Sequence, residues 1–167
     1  MYREDFKKVS EIGKAKAGWL KENPIGYFVA AMVAGMFISF GSFVAMTIGG
    51  MATAAAKTAL DAGAMFVRGI LCNICVCLAV VWCSVRMKSE SGKLIMVIWC
   101  ILIFILCGFE HSVANMSIIG QVLIHGGAPG VSLPLYLKSL LFVSAGNIVG
   151  GVGFVALPYA VMAQKKN

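Results

Sequence analysis

With 167 residues, 60% of them hydrophobic and 13% charged, the chain carries more apolar surface than one soluble core of this size can bury. That excludes a water-soluble globular domain and points to an all-α integral membrane protein, because stretches of roughly 20 residues are almost free of charge. The formal charge of +7 is placed in a way that excludes a nucleic-acid partner, since the cations gather at the chain ends and in one turn.

Residues 1–23 predict an amphipathic helix lying on the cytoplasmic interface. Phe6, Val9, Ile12 and Leu20 fall on one side at about 100° per residue, and Trp19 sits near the point of membrane contact. Charges fill the segment, so it does not read as a signal peptide. Asn23-Pro24 then punctuates the chain, with proline suited to a first helical turn. Residues 24–50 predict the first transmembrane helix, with Ala30, Ala34, Gly35 and Ser39 offering small faces for close helix contact. Gly49-Gly50 is expected to end it. The alanine-rich residues 51–67, with Thr53, Lys57, Thr58 and Asp61, read as a connector on the outer side.

Residues 68–87 form the second predicted span, followed by a polar turn around Ser91-Gly92. All six cysteines (Cys72, Cys75, Cys77, Cys83, Cys100, Cys107) fall inside predicted spans. Positions 72, 75 and 77 of one helix do not converge on a point, so they read as polarizable packing residues. No metal, no cofactor, no disulfide framework and no enzyme activity are expected.

Residues 93–124 pose the central question, because GFEHSVANM interrupts them at Gly108–Met116. Residues 94–107 alone would give roughly 21 Å of helix, too short for a hydrocarbon core of about 30 Å. Running on to residue 124 makes one straight span too long. A helix, a break and a second half-helix fit both lengths, and such a break survives only where protein buries it or a cavity adjoins it. His111 and Asn115 lie four apart and share a face if the chain is helical from Glu110 onward. Two other readings stand beside this one: a loop outside the membrane, and a histidine hydrogen-bonded within a bundle.

The run His125-Gly126-Gly127-Ala128-Pro129-Gly130 predicts a loop. Residues 134–163 are the last span. Gly146, Gly150, Gly151 and Gly153 offer a tightly packing face, Asn147 supplies one buried amide, and Pro158 is expected to kink or terminate the helix. Arg3, Lys7, Lys8, Lys14, Lys16 and Lys21 precede the first span, Arg86, Lys88 and Lys93 mark the internal turn, and Lys165 and Lys166 follow the last span. By the positive-inside rule both termini are cytoplasmic, with Lys57, Arg68 and Lys138 outside.

Two motifs, in order, resemble the formate/nitrite transporter family. One is Gly108-Phe109-Glu110-His111-Ser112-Val113-Ala114-Asn115-Met116. The other is Gly69-Ile70-Leu71-Cys72-Asn73-Ile74-Cys75-Val76-Cys77-Leu78-Ala79, with Cys75 where the family usually has a larger apolar residue. Gly146-Asn147-Ile148-Val149-Gly150-Gly151 is similar to the family's last helix, and residues 14–50 to its opening stretch. The resemblance implies an aquaporin-like inverted-repeat bundle in the inner (plasma) membrane, assembled as a homo-pentamer with one pore per protomer. It implies passage of small monovalent anions or their conjugate acids, namely formate, nitrite, hydrosulfide and lactate, passively or coupled to protons. His111 would be the central pore histidine and proton relay, with Asn73 supporting it by hydrogen bonding and Asn115 on its face. Lys57 and its neighbour Glu110 would form an anion-attracting vestibule, and Phe104 a hydrophobic constriction. Protonation would remove the large cost of stripping water from an anion in such a constriction.

The chain departs from the family in one large respect. The family has six spans and the sequence shows four. After Gly49-Gly50 the second and third spans are missing, and with them the first broken helix and its Gly-Ala-Glu-Leu-Phe-Thr-Gly-like signature. The alternative function is therefore a truncated or remnant member that does not conduct and acts as a membrane assembly or scaffold protein.

Overall fold

The computed structural model describes residues 2–79 and 84–163, with side chains at all of these except 2, 36–53 and 84. Cys83, Lys165 and Lys166 lie outside the described residues, as does the side chain of Ser39. Among the described residues the regular structure is helical apart from one isolated bridge between Ala128 and Val131. The elements run α1 (Tyr2–Glu22), α2 (Pro24–Ala59), α3 (Ala62–Val76), a single turn α4 (Ser84–Arg86), α5 (Glu90–Leu106), α6 (Ser112–Ile124), α7 (Leu133–Val149), a π-helical segment (Gly150–Ala156) and α8 (Leu157–Ala163).

Short polar side chains start these helices. Asn23 accepts from Gly26 N at 2.8 Å ahead of Pro24, Asp61 accepts from Ala64 N at 2.8 Å, and Ser89 accepts from Gly92 N at 3.1 Å. The expected stop at Gly49-Gly50 is not a stop. α2 runs unbroken from Pro24 to Ala59, 36 residues or about 54 Å at the α-helical rise. Two interior glycines weaken a helix by only about 1 kcal/mol each. An interruption in apolar surroundings would strand several backbone groups at greater cost. The alanines that follow are strong helix formers, so the segment read as a connector is helical through Ala59. The chain turns at extended Leu60 (φ −65°, ψ 144°), and Asp61 caps α3 six residues ahead of the expected start of the second span. Pro158 does not terminate the last helix either. It lacks the amide proton for the normal ladder, and the preceding turn widens to a π-helix before α8 continues to Ala163.

Two helices among the described residues, Ala62–Ala79 and Leu133–Ala163, are long and apolar enough to cross a bilayer. They pack on each other along α3 and α7, and α2 packs on α6. Met65 and Cys72 of α3 and Val143 of α7 are fully buried. A second apolar cluster joins Ala54 of α2, Ile118, Ile119 and Val122 of α6 and Val131 of the following loop. α5 buries none of its residues, and Trp99, Ile105 and Leu106 on it are exposed. A helix apolar on every side beyond its charged first turn, with no buried residue, suits lipid as its neighbour.

The α3–α7 crossing depends on glycine. A Cβ at Gly146 would overlap the Phe66 carbonyl oxygen and lie 3.2 Å from Gly69 Cα, and one at Gly150 would overlap the Ile70 carbonyl. Such backbone-to-backbone approach is what small residues permit in membrane helices. Gly146→Val and Gly150→Val are expected to destabilise the fold by about 1–3 kcal/mol or more. Gly35→Ala, inside α2 with nothing within 4 Å of the new methyl, should not destabilise and is expected to raise stability by up to about 1 kcal/mol. Thermal unfolding of the purified protein in detergent checks this, and equal midpoints for all three variants would refute it.

Candidate functional site

The break between α5 and α6 is built by two residues with opposite tasks. Gly108 adopts φ +65° just beyond the end of α5. Gly108 N donates to Ile105 O at 3.1 Å and Phe109 N to Phe104 O at 3.0 Å. This paired pattern closes a helix with glycine in the left-handed conformation. Three residues on, extended His111 (φ −110°, ψ 119°) caps α6, its Nδ1 accepting from Ala114 N at 3.5 Å and its carbonyl from Asn115 N at 2.9 Å. The motif thus stops one helix and starts the next within residues 107–111.

A break of this kind frees backbone groups, and Asn147 of α7 takes up several of them. Its Nδ2 donates to Gly69 O at 2.8 Å and to Glu110 O at 3.0 Å. Its Oδ1 accepts from Ser112 N at 3.1 Å and from Ser112 Oγ at 3.1 Å. Its own carbonyl accepts from Asn73 Nδ2. One amide therefore joins α3, the break, the start of α6 and α7. Glu110 N adds a long contact to Arg68 O at 3.4 Å.

Next to this clamp lies a buried ion pair. Lys57 Nζ donates to Glu110 Oε1 and Oε2 at 3.0 and 3.1 Å, and the two side chains are 15% and 2% exposed. Asn115, fully buried, donates through Nδ2 to Glu110 Oε2 at 2.6 Å and to Ser139 Oγ at 3.1 Å. Lys57 is held in place by the helix turn around it: buried Thr58 donates to Gly130 O at 2.7 Å, and Ala54 joins the apolar cluster with α6.

The sequence-derived residues therefore divide into two groups. Lys57, Glu110 and Asn115 meet in one buried network. Phe104 and His111 face each other with ring centroids 6.1 Å apart, tilted by 35°. Asn115 and His111 do not share a helical face, because α6 begins only at Ser112 and His111 is its cap. The hydrogen bond recorded for the Asn73 side chain goes to the Asn147 carbonyl, not to His111. Asn147 itself was visible in the sequence as a lone amide in a glycine-rich apolar helix, and its part in the site was missed. Among the described residues no group of three or more His, Cys, Asp or Glu could hold a metal ion.

These features define an all-helical, multi-span membrane protein whose polar groups concentrate at an interrupted helix. A sequence model described as formate/nitrite transporter matches residues 50–161, and the chain belongs to the formate/nitrite transporter family, a family of transporters and not of enzymes. It is similar to the nitrite transporter NirC of Escherichia coli (strain K12), with 32% identity over 151 residues that cover 89% of this chain and 56% of that protein. It is also similar to the formate channel FocA of Haemophilus influenzae, with 38% identity covering 75% of this chain and 50% of the relative. The chain thus spans about half the length of these relatives. A solved FNT family ion channel shares its fold with a TM-score of 0.65 at 30% identity, covering 87% of this chain and 64% of that one. A pentameric formate channel with formate bound gives a TM-score of 0.64 at 24% identity, a likeness of fold, covering 87% of this chain and 68% of that one.

Removing one partner of a buried pair leaves the other charge uncompensated. Lys57→Met is expected to destabilise the protein by about 3–5 kcal/mol, and adding Glu110→Gln to recover much of that loss. A double-mutant cycle on unfolding in detergent measures the coupling. Additive effects would show that the pair does not act as a unit.

Proposed function

We propose that this chain contributes one wall of a membrane passage for small monovalent anions or their conjugate acids, of the formate, nitrite, hydrosulfide and lactate class. The observation that carries the reading is the break at residues 107–111. It sets His111 beside Phe104 and is clamped next to the Lys57–Glu110 pair. In this reading Phe104 narrows the path and His111 exchanges a proton with the permeating species at its midpoint, a task open to an imidazole because it can both take up and release a proton. A protonated acid crosses an apolar constriction without the desolvation cost borne by the anion. Lys57 faces the outer side and biases anions toward the opening. Residues 24–50, 68–87, 93–124 and 134–163 are the membrane-crossing parts, the third being the broken one, with both termini in the cytoplasm of a plasma (inner) membrane. The assembly is a homo-pentamer with one passage per protomer. Family membership, the relatives' names and the fold shared with a formate channel support this reading.

A second reading rests on length. The chain spans 56% of the nitrite transporter it resembles, and a member without an opposing wall serves as a membrane assembly or scaffold protein that does not conduct. Reconstitution in liposomes separates the two. Stopped-flow entry of formate, nitrite or hydrosulfide is expected above that of empty liposomes. His111→Ala should slow it by about tenfold for every 1.4 kcal/mol of desolvation left unrelieved. Flux equal to empty liposomes would establish the scaffold reading, and flux indifferent to His111→Ala would remove the histidine from the mechanism.

A further inference from the structure

The opposite end of the molecule carries a second polar feature that transport does not use. α1 packs along α8 and against the single turn α4, and Arg86 Nε meets Asp5 Oδ2 at 3.3 Å. That anchored arrangement leaves a cleft of about 460 Å³ between α1 and α8. Arg3, Lys7 and Lys14 line it from one face of α1, with Ser10 and a single carboxylate, Glu11, on the turn between Lys7 and Lys14. Glu11 lies 4.0 Å from Lys7 in a pair exposed on both sides, 78% and 61%, and such pairs neutralise little. Arg3 and Lys14 form no ion pair among the described residues. Three cations against one anion leave the cleft with a local excess of two positive charges.

The lining is not purely polar. Phe6 of α1 and Ala160 and Ala163 of α8 share it, and Leu157 and Val161, neighbours of Ala160 on α8, are exposed apolar side chains. Ile12 and Trp19 are exposed on the side of α1 away from the cleft, so the apolar rim is supplied by α8. A basic cleft with exposed apolar side chains of α8 next to it matches a ligand with an anionic head and hydrocarbon tails. We infer that the cleft between α1 and α8 binds the phosphate group of an anionic phospholipid. Free phosphate shares the head chemistry but gains nothing from the apolar rim. A basic pocket at the cytoplasmic leaflet is where such headgroups dock. The inference stands apart from the transport reading, since a non-conducting chain would bind lipid equally well.

The test uses the full chain purified in neutral detergent, with fluorescent phosphatidylglycerol and phosphatidylcholine as probes. Phosphatidylglycerol is expected to bind more tightly. Each of R3Q, K7Q and K14Q should weaken it by about fivefold, the effect of one surface cation on an anionic leaflet. Lys88→Gln, exposed and outside the cleft, should leave binding unchanged, and millimolar inorganic phosphate should fail to displace the lipid. An equal loss in K88Q would mean diffuse charge attraction and overturn the site. So would a triple variant that still prefers phosphatidylglycerol. Full displacement by inorganic phosphate would overturn the lipid assignment in favour of a small-ion site.

Discussion

A helix that stops among apolar neighbours frees amide and carbonyl groups that water cannot reach, and each unpaired group costs enough to unravel the arrangement. The single amide of Asn147 meets this constraint from across the bundle. It donates to carbonyls of α3 and of the break and accepts from the first amide of α6. Because its reach is short, α7 must lie almost against α3. Gly69, Gly146 and Gly150 provide that closeness. The glycine face and the lone amide are thus one device, in which close backbone approach makes the hydrogen bonds possible and the hydrogen bonds make the break tolerable.

The electrostatics at the break follow from the same geometry. Lys57 and Glu110 are joined by two contacts of 3.0 and 3.1 Å, so the pair presents a dipole and not a free cation. A dipole acts over a shorter range than a charge. Whatever Lys57 does to an approaching anion is therefore confined to the neighbourhood of the break or requires the pair to loosen. Asn115 donates to the carboxylate and is itself held by Ser139, whose Oγ accepts from the same amide. Both donors of Asn115 are used while its buried Oδ1 has no partner among the described residues, so the network fixes an arrangement more than it raises stability.

Much of this was legible in the sequence, and the failures have physical causes. The interruption followed from length alone, because residues 94–124 fit neither one span nor two. Its local chemistry was legible in part. A glycine can close a helix in the left-handed conformation, but the placing of Gly108 at that position depends on where α5 ends. The sequence left open whether the helix restarts at Glu110 or Ser112, and that choice sends Asn115 toward Glu110 instead of His111. Gly49-Gly50 misled because glycine pairs usually mark turns, while an apolar setting penalises any interruption more than it penalises glycine within a helix. Asn147 could be seen but not assigned, because its partners are distant in sequence and only the α3–α7 packing brings them together.

The clamp is also closed within the chain. Its members, Lys57, Arg68, Gly69, Glu110, Ser112, Asn115, Ser139 and Asn147, all fall inside the segment matched to the family, residues 50–161. None of the bonds described at the break calls on a second broken helix. Folding of the break and completion of a passage are therefore separate requirements. The first is met by α3, α6, α7 and the end of α2 alone. The second depends on what faces Phe104 and His111, both half-buried. The segment matched to the family holds the signature motif on stability grounds alone, so the motif's presence reports on how the break is held.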